Sequence, residues 1–539
     1  MGTHTTGVTI VTLALVGLLG CSGDSQHVDL LLAGATVYDG SGNEPARLDV
    51  GITGDRIAFV GDADEANVNA EKTLDLEGRI LTPGFIDMHS HAMLTEDYGR
   101  DALPFVHQGI TTVALGVDGD GSPEVAALLG SLDASGIGIN AFTYVGHGSV
   151  REAVLGMEDR SPTELELEQM KALVRKGMEE GAFGLSSGLF YVPGYYASTE
   201  EVIELAKVAA SFDGIYDTHD RDLGATFHGI GYLNSILEGI GIGQQSGARV
   251  IFSHFNAQGA HNYGRAPQGT KLINDARARG IEVTAAQHVY TATQSSLRAY
   301  TIPRWASAGG HEAMLARFRD PESVERLDVE TMQMLGIRGG PQKIRFSDPR
   351  PDLNGRTLAE VSALREATVP QTVRKILTIG NATVMNLELY DIVNTRHLAT
   401  QPWMMTCTDG RTPPPGANIT HPRVYGAFTR KLRQFVLDEE LISMAFAVRS
   451  MTGLAADFLH LPDRGYVREG MMADIAVFNH DEISDMASYD DPHHLSQGTV
   501  HVLVNGEFAI KDGAYTGALA GRTIARPTPA TRSESPAGL

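Results

Sequence analysis

Four histidines and one aspartate stand at the ends of separate apolar segments of the chain. His89 and His91 flank a single serine, and His219, His254 and Asp409 each close another apolar segment. Side chains on a strand alternate between its two faces, so His89 and His91 point the same way. Two imidazoles on one face chelate a divalent ion. A single histidine at a strand end is typically a capping or a solvated residue. The whole set, in contrast, predicts a metal site.

Asp409 has a second role in such a site. A carboxylate beside a metal takes a proton from water and passes it to a leaving nitrogen. The metal lowers the pKa of water toward about 7 and polarises the carbonyl group under attack. The set therefore predicts metal-dependent hydrolysis of an amide or a related bond.

These residues need a scaffold that brings distant segments together. The middle of the chain repeats a turn, a short apolar strand, a polar cluster and a helical segment. Eight predicted strands end in polar or chemically capable residues: 80–91, 110–119, 138–148, 182–188, 214–219, 249–254, 281–288 and 403–409. Eightfold alternation of strand and helix predicts an α/β fold with a (β/α)₈ TIM-like barrel over residues 81–464, whose strand ends converge on one mouth.

The other segments complete the predicted domain organisation. Residues 28–80 and 465–520 both have the pattern of short strands and turns, so the two chain ends are expected to form one small β-sandwich domain. Residues 293–400 are too long for one crossover and are interpreted as an insertion after strand seven. Residues 521–539, rich in Pro, Ser, Thr and Ala, predict a disordered tail.

The N-terminus predicts export. Residues 8–19 form an apolar run that is too short to span a bilayer but suits a signal peptide. The run ends in Leu-Leu-Gly-Cys at residues 18–21, which resembles a bacterial lipobox and makes Cys21 the expected lipidation site. Residues 1–21 are thus interpreted as a signal peptide with a lipobox, and the mature protein as periplasmic or as a membrane-anchored lipoprotein. An ordinary secretory signal is the alternative.

Composition disfavours several other classes of protein. The 539 residues include 43 Lys and Arg against 66 Asp and Glu, a net charge of −23, which disfavours a nucleic-acid partner. The two cysteines are too few for a disulfide framework or a thiolate-rich metal site. A small molecule is the expected substrate, and membrane contact is expected only through the lipid anchor. The sequence leaves the oligomeric state open.

Short motifs follow one another in a recognisable order from about residue 28 to 520. They are His-Ser-His at 89–91, Gly-Ile-Thr-Thr-Val at 109–113, Val-Gly-His-Gly at 145–148, Gly-Ala-Phe-Gly-Leu-Ser-Ser-Gly-Leu at 181–189, Tyr-Ala-Ser-Thr at 196–199, Thr-His-Asp-Arg at 218–221, Thr-Asp-Gly at 408–410, His-Pro-Arg-Val-Tyr-Gly at 421–426 and Asp-Arg-Gly at 463–465. In this order they resemble the amidohydrolase superfamily, and within it the N-acyl-D-amino-acid deacylase (D-aminoacylase) family.

The resemblance implies a zinc-dependent enzyme that hydrolyses the amide bond of an N-acyl-amino acid or a dipeptide-like molecule. It implies one or two zinc ions, with other divalent metals as alternatives. One metal position would use His89, His91 and Asp409. The other would use His219, His254 and a bridging ligand from strand two, where Asp118 stands in place of the family's cysteine. Asp409 would act as general base and then as general acid.

Other positions also depart from the family's pattern. Asn256 replaces a lysine that helps to hold the substrate carboxylate, His288 replaces the first tyrosine of a Tyr-Pro-Tyr motif, and Gln294 replaces a serine. Arginine forks suit carboxylates, so Arg423 and Arg221 are the remaining candidate cations. The expected substrate contacts are Tyr191, Asn256, His288, Tyr290 and Arg423. His147 and Arg221 are expected to lie behind the ligands.

Three alternatives are kept. Residues 184–188 match the Gly-x-Ser-x-Gly motif of serine hydrolases, but a loop rather than a helix follows the serine. The same kind of metal site also suits a lactone, another ester or a cyclic amide. The third alternative is a lipoprotein that keeps an amidohydrolase barrel as a binding module without catalysis.

Overall fold

The computed structural model describes residue 2, residues 26–417 and residues 419–527. Residues 1 and 3–25, which contain most of the predicted signal peptide and Cys21, lie outside the described residues. From residue 26 onward, the chain is built of strands and helices. Five strands come first: β1 (His27–Val37), β2 (Ala46–Thr53), β3 (Arg56–Gly61), β4 (Asn69–Asp75) and β5 (Ile80–Pro83).

Eight short, wholly buried strands follow, and helices separate all of them except β8 and β9. The strands are β6 (Phe85–Asp87), β7 (Ile110–Leu115), β8 (Asn140–Thr143), β9 (Val145–Gly146), β10 (Gly184–Gly188), β11 (Ile215–His219), β12 (Arg249–Phe252) and β13 (Val283–Gln287). The helices are α1 (Leu103–Val106), α2 (Val125–Ser135), α3 (His147–Leu155), α4 (Glu164–Glu179), α5 (Thr199–Ala210), α6 (Tyr232–Ser246) and α7 (Ala266–Ala278). Strands buried on both faces and linked by helices are typical of parallel sheets.

A separate α/β unit interrupts this alternation after β13. Its elements are β14 (Thr293–Ser296), α8 (Leu297–Thr301), α9 (Arg304–Ser307), α10 (Gly310–Arg317), α11 (Pro321–Ile337), β15 (Ile344–Phe346), α12 (Leu358–Leu364), α13 (Val369–Ile379) and β16 (Thr383–Asn386). The three strands form an antiparallel sheet in the order β14-β16-β15. Leu297, Leu335 and Phe346 belong to the hydrophobic core of this unit.

The chain then returns to the parallel strands. The next elements are α14 (Ile392–Ala399), β17 (Met404–Thr406), α15 (Arg423–Arg430), a π-helical segment (Lys431–Asp438), α16 (Met444–Met451) and α17 (Gly453–Leu459). β17 pairs in parallel with β13, and α14 packs against α7. The insertion therefore ends before α14, earlier than the predicted boundary at residue 400, because α14 is the helix that leads into the last parallel strand.

The parallel strands form two sheets, with the strand orders β17-β13-β12-β11-β10-β9 and β6-β7-β8. β8 and β9 are separated by one residue, Tyr144. At the opposite edges of the two sheets lie β17 and β6. There, the Asp409 amide donates to the His89 carbonyl, and the His91 amide donates to the Gly410 carbonyl. These two bonds join the chain after β17 to the chain after β6.

Strands from both chain ends form one nine-stranded sheet. The last strands are β18 (Ile475–Phe478), β19 (Thr499–Val504), β20 (Glu507–Lys511) and β21 (Ala514–Tyr515). β18 pairs with β5, so the order is β21-β20-β19-β18-β5-β1-β2-β3, with β4 beside β1. Asn505 and Gly506 join β19 to β20 at φ values of 50° and 83°, which is the conformation that tight hairpins require.

The segment that follows the last strand corrects the predicted tail. Residues 521–527 are not a disordered extension: the Gly521 amide donates to the Ile137 carbonyl, and the Ile524 amide donates to the Ala141 carbonyl. These backbone hydrogen bonds hold the segment along β8. Its Pro- and Thr-rich composition does not predict this packing. Residues 528–539 of the predicted tail lie outside the described residues. Among the helices of the described ranges, none has the length and hydropathy needed to cross a bilayer.

Candidate metal and active site

Six side chains carried by five strands meet at one end of the parallel strands. His89 and His91 follow β6, Asp118 follows β7, His219 ends β11, and His254 follows β12. Asp409 follows β17. Because parallel strands end on the same side of a sheet, their terminal side chains gather in one place. The structure thus brings together all six residues that the sequence proposes as metal ligands.

The Asp118 carboxylate lies at the centre of this cluster. Its Oδ1 is 3.4 Å from His89 Nε2, 3.4 Å from His219 Nδ1 and 3.6 Å from His254 Nε2. Its Oδ2 is 3.4 Å from His91 Nε2. Two groups therefore share Asp118, one with His89 and His91 and the other with His219 and His254.

The spacing of these atoms fits a bound metal. Two atoms held at about 2.0–2.2 Å by a tetrahedral ion are about 3.4 Å apart. In the described part of the chain, His89 Nε2, Asp118 Oδ1 and His219 Nδ1 are buried without a hydrogen-bond partner. Buried polar atoms normally have partners, so these orphaned atoms point to an ion. Imidazole nitrogen and carboxylate oxygen are ligands that zinc accepts.

Three of the six residues have a strained backbone. Asp118, His254 and Asp409 have φ values of 57°, 32° and 48°. A non-glycine residue in this left-handed region costs about 1–3 kcal/mol, and such strain clusters at functional sites. Each lies two or three residues beyond the end of a strand, where the chain turns away from the sheet.

Asp409 joins the metal cluster to Arg423. Its Oδ1 is 3.5 Å from His91 Nε2, and its Oδ2 is 2.5 Å from Arg423 Nη1. Burial raises the pKa of Asp409, but the charges of Arg423 and His254 more than offset it and hold the pKa well below its usual range. The carboxylate is therefore ionised.

A second layer of hydrogen bonds fixes the backbone around the ligands. The Asp87 carboxylate accepts from Thr408 Oγ1 at 2.5 Å, from the Thr408 amide at 3.0 Å and from the His89 amide at 3.2 Å. Burial raises the pKa of Asp87 to about 7, although these donors oppose the shift. Asp87 thereby ties the segment that carries Asp409 to the segment that carries His89.

A cavity of about 440 Å³ opens onto the cluster. His91, Asp118, His219, His254 and Asp409 form part of its wall. Tyr191 lies over His219 with 4.7 Å between the ring centroids, and its hydroxyl accepts a hydrogen bond from Ser295. Residues of the insertion form another part of the wall. The cavity is therefore bounded both by the ends of the parallel strands and by the insertion.

Arg423 and His288 lie together beside Asp409. Arg423 lines the cavity, and its Nη1 donates to His288 Nε2 at 3.2 Å. Burial lowers the pKa of His288 well below its usual range, and the charge of Arg423 adds to this effect. His288 is thus a neutral acceptor that orients Arg423, and it is not among the residues of the cavity wall in the described chain.

Two other residues that the sequence predicts as substrate contacts, Asn256 and Tyr290, are not among the described residues of the cavity wall. Asn256 donates to Thr395 Oγ1 at 3.0 Å and accepts from the Ala257 amide. The Tyr290 hydroxyl donates to Asp485 Oδ2 at 3.3 Å. β12 and β13 end before these residues, so strand alternation no longer predicts where their side chains point.

His147 and Arg221 also take other roles. His147 Nε2 is 3.0 Å from Glu201 Oε1, and Glu201 in turn pairs with Arg151. Arg221 pairs with Glu238 and donates to the Tyr195 and Ala197 carbonyls. Both belong to buried polar networks that support the loop after β10.

Several residues of the cavity wall could not be predicted from the residues at the strand ends. Asp120 lies in the loop after β7, and burial raises its pKa to about 6. The others lie mostly in or beside the insertion: Gln258, Gln294, Ser295, Arg298, Tyr300, Arg338, Asp348 and Tyr390. Only Gln294 carries a sequence signal, as a departure from a family motif. The rest depend on how the insertion folds over the strands.

Comparisons with known proteins agree with this geometry. Residues 261–510 match the model of a family described as "Amidohydrolase family". A D-aminoacylase of Alcaligenes xylosoxydans xylosoxydans is 32% identical over 529 residues, which cover 93% of this chain and 99% of the relative. An N-acyl-D-glutamate deacylase of the same organism is 31% identical over 504 residues, covering 89% and 93%.

A solved structure adds what this kind of site holds. The N-acyl-D-glutamate deacylase of Bordetella bronchiseptica is 28% identical, with a TM-score of 0.78, and the match covers 93% of this chain and 100% of that one. That structure is a complex with zinc and a phosphonate inhibitor that mimics the tetrahedral intermediate of the reaction.

Proposed function

Because this chain belongs to the D-aminoacylase family of the amidohydrolase superfamily, we propose that it cleaves the amide bond of N-acyl-D-amino acids. The protein is a metal-dependent amidohydrolase, and N-acyl-amino acids are its substrate class. The observation that carries the proposal is the convergence of four histidines on the Asp118 carboxylate at the floor of a cavity that also contains Asp409.

The residues of the cluster would hold zinc in two overlapping groups. His89, His91 and Asp118 form one, and Asp118, His219 and His254 form the other. Asp409 adds a carboxylate oxygen near the first group. When bound, zinc supplies Lewis acidity, which lowers the pKa of water and polarises the carbonyl of the scissile amide.

Asp409 performs the proton transfers. Its Oδ1 faces His91, and its Oδ2 is held by Arg423, so one oxygen remains directed toward the metal cluster. Oδ1 accepts a proton from the water that attacks the carbonyl carbon. The same oxygen then gives this proton to the amide nitrogen as the carbon–nitrogen bond breaks. A carboxylic acid and a free amino acid are released.

Arg423 and Tyr191 orient the reacting groups. Arg423 fixes the Asp409 carboxylate through Nη1, and we infer that its remaining donors face the substrate carboxylate. Tyr191 packs over His219 and lines the cavity, where it excludes water from one side of the ligands. A partly enclosed site strengthens every electrostatic interaction within it.

We also infer the finer architecture from these contacts. The two hydrogen bonds between the chain after β17 and the chain after β6 support a closed (β/α)₈ barrel. The nine-stranded sheet built from both chain ends supports the composite β-sandwich of residues 28–80 and 465–520. The run at residues 8–19 and Cys21 support export and a lipid anchor in the periplasm or at the membrane of a bacterium.

The direct test is turnover by zinc-loaded protein of matched N-acetyl-D- and N-acetyl-L-amino acids, with removal of zinc by a chelator as the first control. We expect the D series to be hydrolysed, the chelator to abolish activity and added zinc to restore it. Hydrolysis of esters or lactones with no hydrolysis of either amide series would contradict the proposal.

The role of Asp409 has its own test. Asp409→Asn keeps the shape of the side chain but removes the proton acceptor, so kcat is expected to fall by about 10²–10⁴-fold. Zinc content, measured by atomic absorption, is expected to stay near that of the wild type because His89, His91, Asp118, His219 and His254 remain. Full activity in Asp409→Asn protein would exclude the proton-transfer role.

A further inference from the structure

Arg338 is a buried arginine with an unsatisfied guanidinium. It follows the last residue of α11 in the insertion, and its residue exposure is 3%. Its Nη1 is buried and has no hydrogen-bond partner among the described residues. A buried charge without a partner is strongly unfavourable, so such a group is normally paired.

The other buried arginines of the described chain show what normal pairing looks like. Five arginines are buried in it, and four of them lie beside a carboxylate. The four pairs are Arg151 with Glu201, Arg249 with Asp213, Arg423 with Asp409, and Arg464 with Asp474. Arg338 is the fifth, and it forms no ion pair with the described residues.

The surroundings of Arg338 are aromatic rather than acidic. Its Cζ lies 4.1 Å from the centre of the Tyr300 ring and 5.4 Å from that of Phe190. The charge of Asp222 acts on Arg338, but the Asp222 oxygens accept the backbone amides of Gly224 and Gly231. Stacking on aromatic rings supports a guanidinium without occupying the donors in its plane.

Arg338 forms part of the wall of the cavity that contains the metal cluster. The Phe190 ring links the two: it stacks on His219 at 5.4 Å and lies at the same distance from Arg338 Cζ. The guanidinium is therefore one aromatic ring away from a proposed zinc ligand. Arg338 and the metal cluster therefore border the same cavity.

We propose that Arg338 binds a carboxylate of the substrate and so determines which N-acyl-amino acids are hydrolysed. The inference rests on the proposed function and adds a specificity residue that lies outside the parallel strands. The planar fork of a guanidinium binds a carboxylate through two parallel hydrogen bonds. The carboxylate is either the one next to the scissile amide or one on an acidic side chain, and the two sources are separated by experiment.

The experiment compares kcat/KM for three N-acetyl compounds on zinc-loaded wild type, Arg338→Met and the control Arg319→Met. N-acetyl-D-glutamate against N-acetyl-D-glutamine tests the side-chain carboxylate. N-acetyl-D-glutamine against its α-amide tests the carboxylate next to the amide. Arg319 is an exposed arginine of the same insertion, so its replacement removes one positive charge without touching the cavity.

We expect wild type to prefer the acid over the amide in one of the two comparisons. Arg338→Met is expected to lower that preference by about ten- to a hundredfold, the effect of charge-assisted hydrogen bonds, with little change for the neutral partner. Arg319→Met is expected to keep the wild-type preference. An unchanged ratio in both comparisons, or an equal loss for all three compounds, would overturn the proposal.

A binding measurement separates this proposal from the proposed activity. Glutarate is a dicarboxylate that is not hydrolysed, and its effect on the melting temperature of zinc-loaded protein is compared between wild type, Arg338→Met and Arg338→Lys. Stabilisation that is lost in Arg338→Met and partly kept in Arg338→Lys supports carboxylate binding even if no acyl-amino acid is turned over. Equal stabilisation of all three proteins would exclude it, and Arg338→Lys serves as the readout if Arg338→Met does not fold.

Discussion

At the residue scale, Asp118 is the centre of the site. One carboxylate contacts all four histidines, with Oδ1 facing three of them and Oδ2 the fourth. A carboxylate offers two oxygens, so each of the two groups can use its own. The family's cysteine would offer a soft thiolate at this position, whereas a carboxylate is a harder donor with a different preference among metals.

Substitution at Asp118 is therefore expected to affect all bound zinc. Asp118→Ala is expected to weaken zinc binding by more than about a hundredfold, since even residues behind the ligands are worth 10–100-fold. Asp118→Cys restores a bridging anion, so it is expected to retain zinc, and competition with a fluorescent chelator measures both. Wild-type zinc affinity in Asp118→Ala protein would show that Asp118 is not a ligand.

Residue patterns predicted which side chains meet at the strand ends, but not which side chains line the rest of the cavity. The ligands lie at strand ends, where the geometry of parallel strands decides which side chains meet. Asn256 and Tyr290 lie beyond those ends, and each bonds to a residue far away in the chain. Arg338 belongs to the insertion, whose position over the strands depends on tertiary packing that no local pattern encodes.

At the element scale, the π-helical segment Lys431–Asp438 places a lysine behind β17. Lys431 Nζ donates to Thr406 Oγ1 and Ser450 Oγ, both at 2.8 Å. Burial lowers the pKa of Lys431 to about 7. The unfolded lysine titrates near 10.4, so between these values the unfolded chain binds more protons than the folded one.

Stability that depends on Lys431 is thus expected to rise with pH. Relative to Lys431→Met, the free energy of unfolding of wild type is expected to increase by about 2 kcal/mol between pH 7 and pH 9. Urea unfolding of both proteins at each pH measures the difference. The exposed Lys375 provides the control, and Lys375→Met is expected to follow wild type. Parallel curves for wild type and Lys431→Met would mean that Lys431 is not desolvated.

The elements themselves follow largely from sequence. Each parallel strand from β7 to β17 lies within a range that the alternation of apolar runs and turns predicts. The start of α5 shows the usual limit of such patterns: Ser198, the residue before the first helical residue Thr199, caps the helix by accepting from the Glu201 amide. The two residues are adjacent and both suit a cap, so only the backbone conformation decides between them.

At the scale of the whole molecule, both chain ends return to the same region. β18 pairs with β5, and residues 521–527 run along β8. Arg522 adds an ion pair with Asp55, which lies in the turn between β2 and β3. Composition gave no indication of this last contact, because its stability comes from backbone bonds to a distant strand rather than from apolar side chains.

Two truncations test this packing. Deleting residues 521–539 removes the bonds to Ile137 and Ala141, each worth about 0.5–1.5 kcal/mol, and is expected to lower the melting temperature by a few degrees. Deleting only residues 528–539 keeps those bonds, so this truncation is expected to melt at a higher temperature than the longer one. Equal melting temperatures for both truncations would show that residues 521–527 do not stabilise the protein.

The bond from the Asp409 amide to the His89 carbonyl also has a consequence for biosynthesis. His89 and His91 leave the ribosome early, whereas Asp409 emerges only after the whole insertion has been made. The segments of His89 and Asp409 are joined directly through their backbones, so Asp409 reaches the histidines only when most of the chain is complete. A nascent chain that ends just before residue 409 already contains Asp118 and the four histidines, but it lacks the carboxylate that we propose for proton transfer.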